Sequence, residues 1–191
     1  MGAWSTKAHA VTIDPSDLWR ALAAYRGYTY DTGPRQIVCS VLTAELCMAL
    51  LGRPAKRGDA AWRAMQIQDP TRPWSPVEAF PGHLHLPGHG PDRPTPGRLH
   101  LCQGWRGLHP DGSITTWSQG HQWLWLADAS VGWAGVVAES SVTGPRVWDA
   151  GGIRTVEQAV TAAGELTRDL EPMDWAARAA KWTDGVAWVA L

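Results

Sequence analysis

Apolar positions along the chain follow two different periods. In the first third they recur every three to four residues. Leu18, Leu22 and Tyr25 stripe a segment that opens at Asp14-Pro15, an N-cap with proline at the first helical position, and closes at Gly27, which predicts a helix over 14–26. After the polar loop YTYDTGPRQ (28–36), Val38, Leu42, Leu46 and Leu50 mark a second helix over 38–51, stopped by Gly52 and Pro54. Residues 53–97 carry no sustained period and many prolines. They read as an irregular insertion with one short helix near 58–67.

From Pro96-Gly97 onward the apolar runs shorten. RLHLCQGW (98–105), HQWLWLAD (121–128), AGVVAESS (134–141) and PRVWDA (145–150) are rich in β-formers and aromatics and bounded by Gly, Pro, Asp or Ser, so each predicts a strand. Helical spacing returns over 155–170 and 173–181, and GVAWVAL (185–191) predicts a last strand. There is no internal repeat. Helices first, a compact antiparallel sheet second and a helical C-terminal extension over 151–191 make an α+β organisation. At 191 residues the chain suits one domain, with its core over about 28–150.

Composition changes this picture in only a few places. With 45% hydrophobic and 18% charged residues the chain is globular in type, and a net charge of −1 gives no general reason to bind nucleic acid or an anionic membrane. The 13 Trp against one Phe match the codon bias of GC-rich DNA, so the tryptophans alone do not indicate sugar binding. Three cysteines argue against a disulfide framework and fit a reducing compartment. The N-terminal stretch has no apolar core of signal-peptide length, and no run reaches the length of a membrane span. The expectation is therefore a protein made in the cytoplasm. No cofactor is called for.

The candidate chemistry lies in RQIVCSVLTAELCMALLG (35–52). Cys39 stands where the second helix begins, and there unpaired N–H groups and the helix dipole favour a thiolate. Cys47, among Leu46, Met48 and Leu50, reads as a small buried hydrophobe, and Cys102 sits on a strand. A thiolate nucleophile needs a base, and the base needs an orienting partner. His121, taken as opening the strand HQWLWLAD after a glycine, is the best base. Glu139 on the next strand is the nearest orienting group, with Ser140 and Ser141 behind it. The chain contains no Asn, so a Cys-His-Asn triad is excluded and the third group must be Glu, Asp, His, Gln or a hydroxyl. A competing metal reading draws on His83, His85, His89, His100 and Cys102, whose residue types suit zinc but whose spacing matches no common zinc module.

In this order of motifs the chain resembles the NlpC/P60 and CHAP cysteine hydrolases. VCSVL leading to Gly52 is similar to the family's Asp-Cys-Ser-Gly-Leu helix, and YDTG (30–33) to its upstream Tyr-x-Trp-Gly. PGRLHLCQ (96–103) is similar to its Pro-Gly-Asp before an apolar strand, and Gly120-His121 to the Gly-His pair that opens the next. AESS stands at the third catalytic position. Val38, Val41 and Arg98 depart from the family pattern at positions that touch substrate more than the nucleophile–base pair. The resemblance covers roughly 28–150 and implies a papain-like fold that cuts peptide or amide bonds in peptidoglycan. It implies Cys39 as nucleophile, His121 as base and Glu139 as the group that fixes the imidazole tautomer. The Cys39 N–H and Tyr30 would stabilise the oxyanion, and Gln36 and Ser40 would contact oxyanion or substrate. The implied partners are a peptidoglycan peptide or another amide substrate, and an immunity protein or phage structural protein. The setting would be a virion or delivery by a dedicated secretion machine. The alternative expectation is a non-catalytic binding or assembly protein on the same fold, with the histidine-rich loop holding metal.

Overall fold

The structure, a computed structural model, describes residues 14–50, 96–108, 114–128, 130, 134–182 and 186–190. Helix α1 (Pro15–Ala23) starts where expected: the Asp14 side chain accepts from the Ser16 N–H at 2.9 Å and Pro15 follows. It buries Leu18, Trp19 and Leu22. Its last turn tightens into i→i−3 bonds through Arg26, and Gly27 ends it at φ +68°. Helix α2 (Cys39–Leu50) buries Val41, Leu42, Ala44, Leu46 and Cys47.

Among the described residues six strands form one antiparallel sheet: β1 (Leu99–Leu108), β2 (Ile114–Ala127), β3 (Gly135–Ser141), β4 (Gly144–Asp149), β5 (Gly152–Thr155) and β6 (Val186–Ala190), in the order β5-β4-β3-β2-β1-β6. The short helices α3 (Val156–Ala159) and α4 (Trp175–Ala179) follow β5 and precede β6. The α+β organisation is as the sequence predicts.

Period-two alternation divides the sheet into two faces. Leu99, Leu101, Leu124, Val136 and Ala138 face α1 and α2 in one core. Cys102, Trp123, Trp125 and Val137 face the other way, into an indole-rich core with Trp175, Trp182 and Trp188.

Four expectations are corrected. Residues 155–170 are not one helix. Thr155 caps α3 in a capping box with Gln158, but β-branched Val160 turns extended (φ −134°, ψ 133°) and bridges to Leu166. Gly164 then takes φ +85°, where a Cβ would lie 2.4 Å from Arg20 Cγ. The second helix is also shorter than 173–181, because the Met173 backbone exchanges hydrogen bonds with Gly135 at 2.9 and 2.7 Å and Asp174 caps the helix only from Trp175. The C-terminal part is therefore no helical extension, since it supplies both edge strands of the sheet, β5 and β6. Finally, β2 begins at Ile114, so His121 lies within the strand rather than at its start. The helix expected near 58–67 lies outside the described residues.

Candidate active site

Cys39 is the first residue of α2, so the free N–H groups of the opening helical turn surround it. The sheet brings it a partner through a mismatch in strand pairing. The β2–β3 ladder ends at Trp123↔Glu139, although β2 runs back to Ile114 and β3 on to Ser141. Just past that last pair the start of α2 docks. The Ser140 hydroxyl donates to the Ile37 carbonyl at 2.6 Å, and the Gln122 N–H donates to the Cys39 sulfur. Below the helix, Thr43 Oγ1 lies 3.0 Å from Gln122 Oε1, and Gln122 Nε2 donates to Gln103 Oε1 at 3.1 Å. This buried polar chain pins α2 to β2 and β1.

His121 and Glu139 share the indole-lined face. The imidazole Nε2 is 2.8 Å from Glu139 Oε2, which leaves Nδ1 for its hydrogen bond to Cys39. Burial works against the charged forms here, but the partners outweigh it. Burial raises the Cys39 thiol, while the His121 hydrogen bond and charge and the N–H groups of Gln122 and Ser40 bring it below its ordinary value. Burial depresses His121, yet Cys39 and Glu139 together raise it to about 9. Each of the two therefore favours the charged form of the other. The other sulfurs differ: burial pushes the Cys47 and Cys102 thiols well up.

Glu139 is fully buried and accepts four hydrogen bonds. Arg146 donates twice to Oε1, at 2.8 and 2.6 Å, and Arg178 donates to Oε2 at 2.5 Å. Against the cost of burial, His121 and these two guanidinium groups hold the carboxyl down at about 2. It is ionised throughout the working range and cannot take the imidazole proton. Trp182 lies nearly parallel to the His121 ring, 5.5 Å between centroids and 13° apart, and Trp123 stacks at 6.0 Å. These indoles shield the His121–Glu139 bond from water.

Tyr30 arrives on the loop between α1 and α2. That loop folds back through Thr29 N–H to Arg35 O (3.0 Å) and Ile37 N–H to Thr29 O (2.9 Å), with Arg35 at φ 53°. The Tyr30 hydroxyl donates to the Cys39 sulfur, and burial together with the Cys39 charge holds its own proton on more firmly. Of the remaining expected residues, Ser40 gives its backbone N–H to the sulfur. Gln36 has a structural contact instead: its Oε1 accepts from the Gly33 N–H at 2.7 Å and pins the loop.

Cys39, His121, Glu139 and Tyr30 thus come together from a loop, a helix start and two strands. Arg146, Arg178, Trp182 and Gly104 were not anticipated. Arg146 could have been found, because it faces Glu139 directly across the β3–β4 hairpin. Of the metal candidates, His83, His85 and His89 lie outside the described residues. His100 and Cys102 are fully buried on the indole side of β1, where burial pulls His100 down to about 4. Among the described residues no group of three His, Cys, Asp or Glu is placed to hold a metal ion. Nor is any helix among them long and apolar enough to cross a membrane. The chain matches no protein-family model, no curated protein and no solved structure.

Proposed function

We propose that the chain is a papain-like cysteine hydrolase that cleaves an amide or peptide bond, with peptidoglycan peptides as the leading substrate. One observation carries this reading. The sulfur at the start of α2 is hydrogen-bonded to an imidazole whose other nitrogen is held by a buried carboxylate. Two alternative uses of such a cysteine, packing and redox pairing, need neither partner, and none of the three cysteines is in a disulfide.

In the proposed reaction the Cys39 thiolate attacks the carbonyl carbon. The oxyanion is met by the Cys39 N–H and the Tyr30 hydroxyl, each good donor contributing roughly 3–4 kcal/mol. As the C–N bond breaks, His121 gives its proton to the leaving nitrogen, and the acyl group remains on sulfur as a thioester. Water then loses a proton to His121 and attacks the thioester, releasing the acid and restoring the ion pair. Glu139 keeps Nε2 protonated throughout, so that Nδ1 handles the transferred proton. A virion-borne or exported enzyme would meet peptidoglycan in this role.

The test is mass spectrometry of peptidoglycan fragments incubated with wild type and with Cys39→Ala. New amide-cleaved fragments with wild type alone support the reading. Identical fragment patterns for the two proteins remove peptidoglycan as the substrate.

A further inference from the structure

Glu139 is held in a way its proposed orienting role does not require. One hydrogen bond to His121 would fix the tautomer, yet the carboxylate also accepts from two arginines. They differ in origin. Arg146 is the cross-strand neighbour of Glu139 and binds the far oxygen, Oε1. Arg178 comes from α4, 39 residues further on, and donates to Oε2, the oxygen that His121 uses. Its guanidinium is 3% exposed and wedged among indoles, 4.5 Å from the Trp123 ring centroid and 4.8 Å from that of Trp148. A charge so deeply buried and so specifically aimed costs several kcal/mol in desolvation before its contacts return anything. Packing alone would be served as well by an apolar side chain.

We propose that Arg178 is a positioning residue that acts through Glu139 on His121, drawing charge from the shared oxygen so that the imidazolium gives up its proton more readily to the leaving group. The inference rests on the hydrolase reading for its purpose, but its physical content is independent of the substrate. Among the described residues the charged or titratable groups that act on His121 directly are Cys39 on α2 and Glu139 on β3; Tyr30 reaches Cys39, and Arg146 on β4 and Arg178 on α4 reach Glu139. Asp31 lies behind Tyr30, Lys181 sits over Trp148, and Cys102 lies near Arg178. Within this set Arg178 alone shares with His121 the oxygen that His121 binds. Being a like charge, it opposes protonation of the ring, and its removal makes Glu139 a stronger acceptor. Both changes hold the proton on His121 to higher pH.

Alkylation of Cys39 by iodoacetamide, followed across pH by peptide mass spectrometry, reads this directly. The rate rises once as the ion pair forms, and again near pH 9 when His121 deprotonates and frees the thiolate. In Arg178→Gln and Arg178→Met the second rise should move up by about one pH unit. In Arg178→Lys, which keeps the charge, it should stay near the wild-type position. Circular dichroism checks that each variant is folded. A second rise that does not move in the folded neutral variants overturns the proposal, and so does an equal shift in Arg178→Lys. Should both neutral variants fail to fold, Arg178→citrulline removes the charge at nearly constant shape, and an unmoved second step there overturns the proposal. A protein that cuts no amide yet shows these shifts would remove the hydrolase reading and leave this inference standing.

Discussion

Gly104 and His121 stand opposite each other in the β1–β2 ladder, and the bare Cα of Gly104 admits Trp182 against the imidazole. A Cβ at Gly104 would lie 2.3 Å from Trp182 Cγ and 2.4 Å from Cδ2. β1 is hydrogen-bonded on both sides, to β2 and β6, so its backbone has little room to yield. The indole must move instead.

Gly104→Ala should therefore destabilise the fold by about 1–3 kcal/mol, the usual cost of overpacking a well-filled site. Urea unfolding checks the size. The cause is checked by repeating the substitution in a Trp182→Ala background, where the clash is gone and the added methyl should cost little. An equal cost in both backgrounds would place the strain elsewhere.

Why the sequence reveals one half of this site and hides the other follows from where each residue comes from. Cys39 is legible because a helix start has a local signature, and His121 and Glu139 because they lie on adjacent strands of short, aromatic-rich runs. Arg146 is legible once the β3–β4 hairpin register is drawn, since the turn Val142–Thr143 sets it opposite Glu139. Arg178 and Trp182 are not. Their placement depends on β6 pairing with β1 and on α4 crossing the indole face, contacts that no local pattern encodes. The residues at 155–170 misled because alanines, valines and leucines at helical spacing also suit a looped segment, and Gly164 packing on Arg20 is a tertiary fact. The sequence places His121 at a strand start because glycine usually marks a boundary. Here Gly120 pairs with Trp105 inside a continuous ladder.

Glu139 makes the acid stability of the protein predictable. Its carboxyl is held at about 2 in the fold against 4.5 for a free glutamate. A depressed value means that the stabilisation is fully present above about pH 4.5 and is lost as pH falls from there towards 2. Glu139→Gln leaves two guanidinium groups and an imidazolium around a neutral amide. It should cost about 3–5 kcal/mol at neutral pH and flatten this acid limb. Urea midpoints between pH 2 and pH 6 measure both effects for wild type and variant.

Tyr30 gives the thiolate a hydroxyl donor but is itself 38% exposed. A hydrogen bond to a charged acceptor contributes about 1.5–3 kcal/mol when shielded, and solvent reduces it here. Tyr30→Phe should raise the midpoint of Cys39 alkylation by less than about one pH unit and leave Cys47 and Cys102 unlabelled. A midpoint identical to wild type would show that this hydroxyl does not support the thiolate.

His121 and Cys39 pull the alkaline stability in opposite directions, and a single substitution should separate them. The imidazole is raised from 6.5 to about 9 by folding, so its contribution is fully present below pH 6.5 and is lost as pH climbs to 9. Cys39 is lowered by folding, so its contribution grows over the rise towards 9, where the unfolded thiol also ionises. In wild type the two trends oppose each other, so the sulfur should blunt the loss of stability over this span. Cys39→Ser keeps the size of the side chain but removes the anion. His121 then has only Glu139 to hold its proton, so its titration should fall below 9 while remaining above 6.5. The variant should lose stability from about pH 6.5 upward more steeply than wild type. Proton NMR of the imidazole, assigned by comparison with His121→Gln, gives the titration, and urea midpoints from pH 6 to pH 10 give the slope. An unchanged His121 titration in Cys39→Ser would mean that the sulfur carries no charge beside it, and the ion pair would have to be abandoned.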